Sequence, residues 1–425
     1  MKKPNINYTL QNDICTGCGI CEAVCPFEAI KIVVRSGRFV PQIDIRNCNN
    51  SKGCHRCYDI CPGIGIDLIS KAKVVFPAAS AIDTPVLEDK YIGRYYRCFT
   101  GYSNDHDIRY HSASGGMITQ FLIWLLENNK IDGAVVTKFD KESPLKVKSF
   151  IASTRDEILS AKSSKYAPVS LHEAISDLKK ASKGRYVVVG LPCHIESMRK
   201  LMEIDKDIRE KIVGLFGIYC SGSRTFGMTE YLMQSRKICI NDINYLAYRD
   251  NGCLGGMVVK GDKIDFYEDY QRYCHPLRTM FHPRRCLLCA DHFAELADLS
   301  FGDIHVKPYS EDKIGINSII IRDSSWGDLL IKAASEGVIT LSCLDVSTLL
   351  KSQKMAKVKK SRNMGYILFN MRLGHIVPDF GSLYNGRLTP KIILNYVWSR
   401  LQQTIGSHKS LWWTIRFIKA KTNIH

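Results

Sequence analysis

The segment Cys15–Pro26, "CTGCGICEAVCP", places cysteines at 15, 18, 21 and 25 with a proline directly after the fourth. No other feature constrains the chain as tightly. Gaps of two residues let a tight loop turn three soft thiolates toward one inorganic core, and the fourth lies a turn further on. This C-x2-C-x2-C-x3-C-P spacing is that of bacterial 4Fe–4S ligation. A second run, Cys48, Cys54, Cys57 and Cys61 followed by Pro62, opens with a longer gap and then repeats the later spacing. Two such runs within about fifty residues form an internal repeat.

In two-cluster ferredoxins the last cysteine of each run serves the other cluster. The pattern assigns Cys15, Cys18, Cys21 and Cys61 to one 4Fe–4S cluster, and Cys48, Cys54, Cys57 and Cys25 to a second. Structural zinc sites also use C-x2-C, but the third closely spaced cysteine and the trailing proline argue against zinc. "FEAIKIVV" and "FVPQIDI" supply the short strands of a small β/α ferredoxin-type domain over residues 1–75.

Composition sharpens this reading. Seventeen cysteines stand in a chain whose N-terminus, "MKKPNINYTLQND", has no apolar leader. No apolar run approaches the roughly 18 residues of a spanning helix. We expect a cytoplasmic protein, peripheral at the inner face of the membrane if its C-terminal region binds lipid. Thiols there stay reduced, so clustered cysteines point to metal rather than disulfides. The formal net charge is +17. Each oxidised cluster with four thiolates contributes about −2, and the basic residues are dispersed outside the C-terminal region. Nucleic acid is therefore not an expected partner.

Residues 76–93, rich in proline and small side chains, read as a linker. From residue 94 to 375 strands alternate with helices, as in "SASGGMITQFLIWLLENNKIDGAVVTKF" and "KGRYVVVGLPCHIESMRKLM". That alternation predicts an α/β body with a substantially parallel sheet, whose ligands sit at strand C-termini. "SGG", "GLPC" and "YCSGS" fall at such ends.

Nine cysteines lie outside the first domain. Cys286 and Cys289 form a C-x2-C, while Cys193 and Cys220 each follow an apolar strand. These four would complete a third cluster, but their wide separation leaves alternatives. Cys193 beside His194 also suits a nucleophile or a buried apolar thiol. Cys274 is the substitute ligand if Cys220 fails. Cys253 is undecided, and Cys98, Cys239 and Cys343 read as ordinary cysteines.

"SASGGMITQFL", "SSKYAPV", "GLPCHIESM", "YCSGS", "RRCLLCAD" and "ELADLSFGDIHV", in this order, resemble the beta subunit of coenzyme F420-reducing hydrogenases and dehydrogenases, in a form fused to a ferredoxin. The resemblance runs from about residue 10 to about 375. It implies a third 4Fe–4S cluster on Cys193, Cys220, Cys286 and Cys289. It also implies FAD near Ser114, Gly115, Gly116, Ser164, Lys165, Tyr166, Gly302 and Asp303, which suits the Gly-rich helix start and a lysine that stabilises a reduced flavin. No catalytic residue is assigned. The family commonly carries glutamine where this chain has His194.

The expected function is an iron–sulfur flavoprotein oxidoreductase that exchanges hydride with a small organic partner. That partner is coenzyme F420 or a substrate of polysaccharide or secondary metabolism. The alternatives are an electron-transfer subunit serving a partner enzyme, and a membrane-surface scaffold with structural clusters. A redox partner protein is expected either way. Residues 376–425 form a basic, aromatic C-terminal region. Within it Lys409–Lys421 reads as an amphipathic helix, with Trp412, Trp413, Ile415, Phe417 and Ile418 for an anionic membrane surface or for docking.

Overall fold

The computed structural model of the protein describes residues 3–77, 85–140, 143, 145–383 and 386–420. Ile30–Arg35 (β1) and Arg38–Ile43 (β2) pair as an antiparallel hairpin. Ser36 and Gly37 both take positive φ in its two-residue turn, the geometry that matches strand twist. These are the strands expected of "FEAIKIVV" and "FVPQIDI".

The expected linker is more ordered than its composition implied. Just ahead of it, Leu68–Val75 closes the N-terminal domain as a helix, and Asp67 caps it by accepting from the Ser70 N–H at 3.0 Å. Leu87–Asp89 (β3) and Gly93–Tyr95 (β4) then form a second hairpin. Residues 78–84 of the expected linker lie outside the described residues.

The body is built on Arg97–Ser103 (β5), Gly133–Phe139 (β6), Val147–Ala152 (β7), Tyr186–Gly190 (β8) and Ile212–Ile218 (β9). A separate antiparallel sheet follows, of Tyr245–Asp250 (β10), Gly256–Gly261 (β11) and Ile264–Asp269 (β12). Leu299–Asp303 (β13), Asn317–Ile321 (β14) and Ile339–Cys343 (β15) return to the first sheet. Its eight strands run β15-β5-β14-β13-β9-β8-β6-β7.

Only the centre of this mixed α/β sheet is parallel: β13 with β9, β9 with β8, and β8 with β6. The outer pairings are antiparallel. The apolar runs of β8 and β9 suit parallel strands covered on both faces. Because parallel strands end on one edge, Leu191–Cys193, Tyr219–Cys220 and Asp303 all emerge there.

The helix Met117–Glu127 buries Met117, Phe121, Leu122, Ile123, Trp124 and Leu125. It is apolar nearly all round, as an internal helix should be. A second core joins the two halves of the chain. It combines Ile14, Ile20, Val24, Ile60 and Leu68 with Leu171, Ile175, Val188, Met198 and Leu288. At about 1.5–3 kcal/mol for each buried large apolar side chain, this shared core holds the N-terminal module against the body.

The C-terminal region differs from the expected single helix. Pro390–Ser407 is a helix, Lys409–Thr414 a 3-10 turn and Ile415–Ala420 a short helix; Lys421 lies outside the described residues. Trp412 and Ile415 are buried against Tyr231 and Phe281, and Ile418 packs on the same core. Trp412 is fixed there by donating from Nε1 to the Gly406 carbonyl at 3.0 Å. Of the five residues expected on a lipid surface, Trp413 and Phe417 are exposed. Among the described residues no helix is long and apolar enough to cross a membrane.

Candidate iron–sulfur and flavin site

The cysteines segregate into three sets of electrostatic neighbours. Burial pushes the Cys15 thiol up to about 12, and Cys61 and Cys18 add to the shift. Burial also pushes Cys21 up, with contributions from Cys18, Cys15, Cys61 and Cys57. Cys57 rises to about 11 through burial, then through Cys25, Cys48 and Cys54. Those last four also line one small cavity with Pro26, Ile30 and Ile43. Cys15, Cys18, Cys21 and Cys61 are thus neighbours in one group, and Cys25, Cys48, Cys54 and Cys57 in another.

The third set draws on three loops. Cys193 lies in the first turn of the helix Pro192–Ile204, directly after β8. It is therefore helical rather than in the loop expected after the strand, because Pro192 starts the helix at once. Cys220 follows β9, and its backbone N–H donates to the His292 carbonyl at 2.9 Å. Cys286 belongs to the helical turn Arg284–Leu287, two residues before Leu288 and Cys289 end the motif. Burial raises the Cys193 thiol, and Cys18, Cys220, Glu196 and Cys286 raise it further. Cys220 is raised to about 11 by burial, against Lys359 and with Cys286 and Cys289. Cys18 thus links the third set to the first, as Cys57 links the second to the first.

Thiols this far above their usual range stay protonated unless a cation replaces the proton, so the donor sets fit soft, charge-rich iron–sulfur groups. Among the described residues no three His, Cys, Asp or Glu side chains are grouped to hold one metal ion. Cys274 is buried in a different core with Tyr248 and Tyr273, so it is no substitute for Cys220. Cys98 is buried, whereas Cys239 and Cys343 are exposed.

Two features around the third set escaped sequence reasoning. Lys359, 2% exposed, donates from Nζ to Cys289 Sγ at 3.4 Å and to the Asp291 carbonyl at 2.6 Å. Burial opposes its charge, but Cys289, Cys220 and Cys286 outweigh that and hold the ammonium above the usual lysine range. Lys359 opens a π-helical turn to Asn363, whose Nδ2 donates to the Cys289 carbonyl at 3.1 Å. The second feature is docking. Arg285, beside Cys286, donates to the Pro62 and Gly63 carbonyls at 2.8 and 3.3 Å. Lys200, on the Cys193 helix, donates to the Cys61 and Gly65 carbonyls at 3.0 and 2.6 Å.

His194 has a definite place. Its Nδ1 accepts from the Leu191 N–H at 3.2 Å, and its Nε2 lies 3.3 Å from the Val169 carbonyl. Burial pushes its pKa down to about 4, so the ring is neutral, accepts at Nδ1 and donates at Nε2. A glutamine carboxamide offers the same pair of functions.

The residues expected around a flavin converge on Arg249, which is 3% exposed. Its Nη1 donates to Asp303 Oδ2 at 2.5 Å, and its guanidinium lies over the Tyr270 ring at 5.1 Å. Ser163, next to Ser164, donates from Oγ to the Arg249 carbonyl. Tyr166 packs on Tyr248 and Tyr270 at 5.6 Å each. Burial alone would raise the Asp303 carboxyl, but Arg249 and His305 hold it well below the usual carboxylate range. Ser114 donates to the Ile316 carbonyl at 2.7 Å, and Asn317 Oδ1 accepts from the Met117 N–H at 3.2 Å. Gly116 takes φ +72 at the start of that helix. Asn317 is the cross-strand partner of Asp303, so the glycine loop adjoins the Arg249 pair.

Three expected residues play visible roles in packing. The Lys165 ammonium donates to the Ala161, Lys162 and Ser163 carbonyls at 2.5, 2.7 and 3.0 Å, so it is neither solvated nor the central cation. A Cβ on Gly302 would meet the Tyr219 ring at 2.0 Å, and one on Gly115 the Gly101 carbonyl at 2.7 Å. Arg249, in "YRDNG", carries no spacing signal that marks it in advance. A buried guanidinium among tyrosines beside a helix N-terminus nevertheless suits an anionic, planar cofactor.

Residues 98–176 match the family model for the coenzyme F420 hydrogenase/dehydrogenase beta subunit N-terminal region. Residues 183–346 match that for its C terminus, and residues 14–64 match a 4Fe–4S dicluster domain. The chain is 26% identical over 380 residues to the coenzyme F420-dependent sulfite reductase of Methanocaldococcus jannaschii, covering 86% of this chain and 53% of the relative. The chain therefore spans about half the length of that relative. It is 27% identical over 290 residues to the coenzyme F420 hydrogenase subunit beta of Methanosarcina barkeri, covering 65% and 93%. A chain of the F420-reducing NiFe hydrogenase complex from Methanosarcina barkeri shares the fold, with TM-score 0.51, 22% identity, and 64% and 91% coverage. With its thiol sets and sheet edge, this chain belongs to the coenzyme F420 hydrogenase/dehydrogenase beta subunit family and carries a 4Fe–4S dicluster domain ahead of the family's two regions.

Proposed function

We propose that the protein is an iron–sulfur flavoprotein oxidoreductase with three 4Fe–4S clusters and one FAD. The two N-terminal sets and Cys193, Cys220, Cys286 and Cys289 would hold the clusters. The Ser114–Gly116 loop, Ser164–Tyr166 and Gly302–Asp303 would hold FAD around Arg249. Bound there, clusters supply one-electron transfer and FAD supplies two-electron exchange with an organic partner. The observation that carries this reading is the continuity of the thiol sets: Cys57 neighbours Cys21, and Cys18 neighbours Cys193.

The remaining residues do the holding. Arg285 and Lys200 fix the N-terminal module by backbone carbonyls that flank Cys61. Lys359 keeps one buried positive charge on the third set. Buried Arg249 and half-buried Asp303 form an ion pair that orients both groups. The acceptor is coenzyme F420 or another small organic substrate.

Anaerobic reconstitution followed by iron and flavin analysis tests the proposal. About twelve irons per chain are expected from three clusters, with one FAD released on denaturation. Fully iron-loaded protein that binds no flavin would overturn the flavoprotein part. In that outcome the second reading stands, an electron-transfer subunit without its own substrate. That reading is favoured by the hydrogenase-subunit names of the relatives.

A further inference from the structure

The helix Pro390–Ser407 seats one side on the body through Tyr396, Gln402, Gln403 and Gly406, with Ile392 and Ile405 half-buried beside them, and leaves a second apolar stripe outside. Its buried side chains include Gln402 and Gln403, whereas Leu394, Val397, Trp398 and Leu401 are 70%, 53%, 45% and 48% exposed. Those four stand at i, i+3, i+4 and i+7, within about 100° of the helix circumference. The orientation is set by close contacts on the other side. Gln402 Oε1 accepts from Thr279 Oγ1 at 2.5 Å, and a Cβ on Gly406 would lie 1.7 Å from the Met280 carbonyl. The helix therefore cannot roll to bury its apolar stripe without losing its seat.

Charge says what covers the stripe. After Asp379 the chain contains no Asp or Glu, yet it carries Arg387, Lys391, Arg400, Lys409, Arg416 and two further lysines. Arg387, Lys391 and Arg416 are exposed. Trp413 and Phe417, 59% and 56% exposed, add aromatic surface in the same segment. Lys409 pairs with Glu230 and Arg400 lies 4.0 Å from Asp13, but leucine and valine in a narrow stripe, tryptophan beside them, and the exposed Arg387, Lys391 and Arg416 match the layered chemistry of an anionic bilayer surface. We propose that the helix Pro390–Ser407, together with Trp413 and Phe417, seats the protein on an anionic lipid surface. The helix lies along the interface, since among the described residues none can cross the membrane. This surface replaces the Lys409–Lys421 helix expected from the sequence, half of whose apolar face is spent on the core.

The test is co-sedimentation of the full, iron-loaded chain with vesicles. Phosphatidylglycerol–phosphatidylcholine vesicles are compared with pure phosphatidylcholine, at low and high salt. We expect binding to the anionic vesicles that exceeds the neutral ones at least about tenfold and weakens with salt. The double variant Leu394→Ser, Trp398→Ser should lose at least about tenfold of that binding, since each removes a large apolar contact. Both positions are exposed, so iron content and melting temperature should stay at the parent values, which separates lost binding from lost folding. Lys391→Glu should weaken binding and flatten its salt dependence. Equal sedimentation with both lipids would overturn the proposal, as would a double variant that binds like the parent. So would light scattering that shows a dimer abolished by the double variant in a protein that ignores vesicles, because the stripe would then belong to a second copy.

Discussion

Replacing Lys359 by Met should lower the midpoint potential of the cluster proposed on Cys193, Cys220, Cys286 and Cys289 by on the order of 100 mV. Lys359 Nζ lies 3.4 Å from Cys289 Sγ. An electron added to a cluster on that sulfur is centred about 6 Å from the ammonium, and at an effective dielectric constant of about 20 the attraction is about 2.8 kcal/mol. For a one-electron couple this corresponds to about 120 mV. Methionine keeps the length and apolar stem and removes the charge, and its thioether leaves the Asp291 carbonyl without this donor. An anaerobic redox titration followed by electron paramagnetic resonance reads the potential directly. Lys359→Arg, which keeps the charge, should stay within about 30 mV of the parent on the same scale. A Lys359→Met protein with full iron content and a third-cluster potential that is unmoved or raised would refute the argument. Either result would mean that the ammonium does not sense the cluster's charge.

Cys193→Ser should reduce iron from about twelve to about eight per chain, with the signals of the two N-terminal clusters retained; iron analysis with paramagnetic resonance checks it. Arg249→Met leaves half-buried Asp303 with His305 alone, at 3.4 Å, and should cost about 1.5–3 kcal/mol of stability at neutral pH, with flavin retention reduced in parallel. The parent's share of that stability is fully present above the ordinary carboxylate pKa, because the folded Asp303 pKa is depressed. It is lost as pH falls below that value, and melting curves of the variant should lack this acid-side slope. His194→Gln keeps one acceptor for Leu191 N–H and one donor for Val169 and should melt near the parent. His194→Leu strands both and should cost about 1–3 kcal/mol.

Much of the N-terminal module was legible because its chemistry is local. Spacing within "CTGCGICEAVCP" and its repeat marks the 4Fe–4S dicluster domain, and the hairpin strands lie where their short apolar runs stand. The third set was half legible. Cys286 and Cys289 announce themselves by C-x2-C, but Cys193 and Cys220 become their neighbours only because β8 and β9 are adjacent parallel strands that end on one edge. The substantially parallel sheet expected from the alternation is present at its centre, while the directions of the outer strands were not legible for a related reason. Periodicity identifies a strand but not its partner's direction, and only β6, β8, β9 and β13 form the parallel core.

The glycines and Lys165 show the opposite limit. "SASGG" and "FGD" sit at the edge where ligands gather, yet Gly115 and Gly302 are demanded there by Gly101 and Tyr219. The central cation is Arg249, which sequence spacing does not mark. The C-terminal region divides in the same way. Its basic, aromatic composition was plain, but which tryptophan meets the core depended on Tyr231 and Phe281, far away in the chain.

Sequence by itself determined the redox character of this protein, because thiolate softness and short-range spacing are properties of a segment and survive any packing of the rest. Tertiary structure alone decided how the sets connect. Arg285 and Lys200 clamp the N-terminal module onto the helix and loop that carry Cys193 and Cys286, and Lys359 reaches Cys289 across seventy residues of chain. Such contacts depend on sheet order and shared core packing, and no local pattern encodes the approach of groups so distant in sequence.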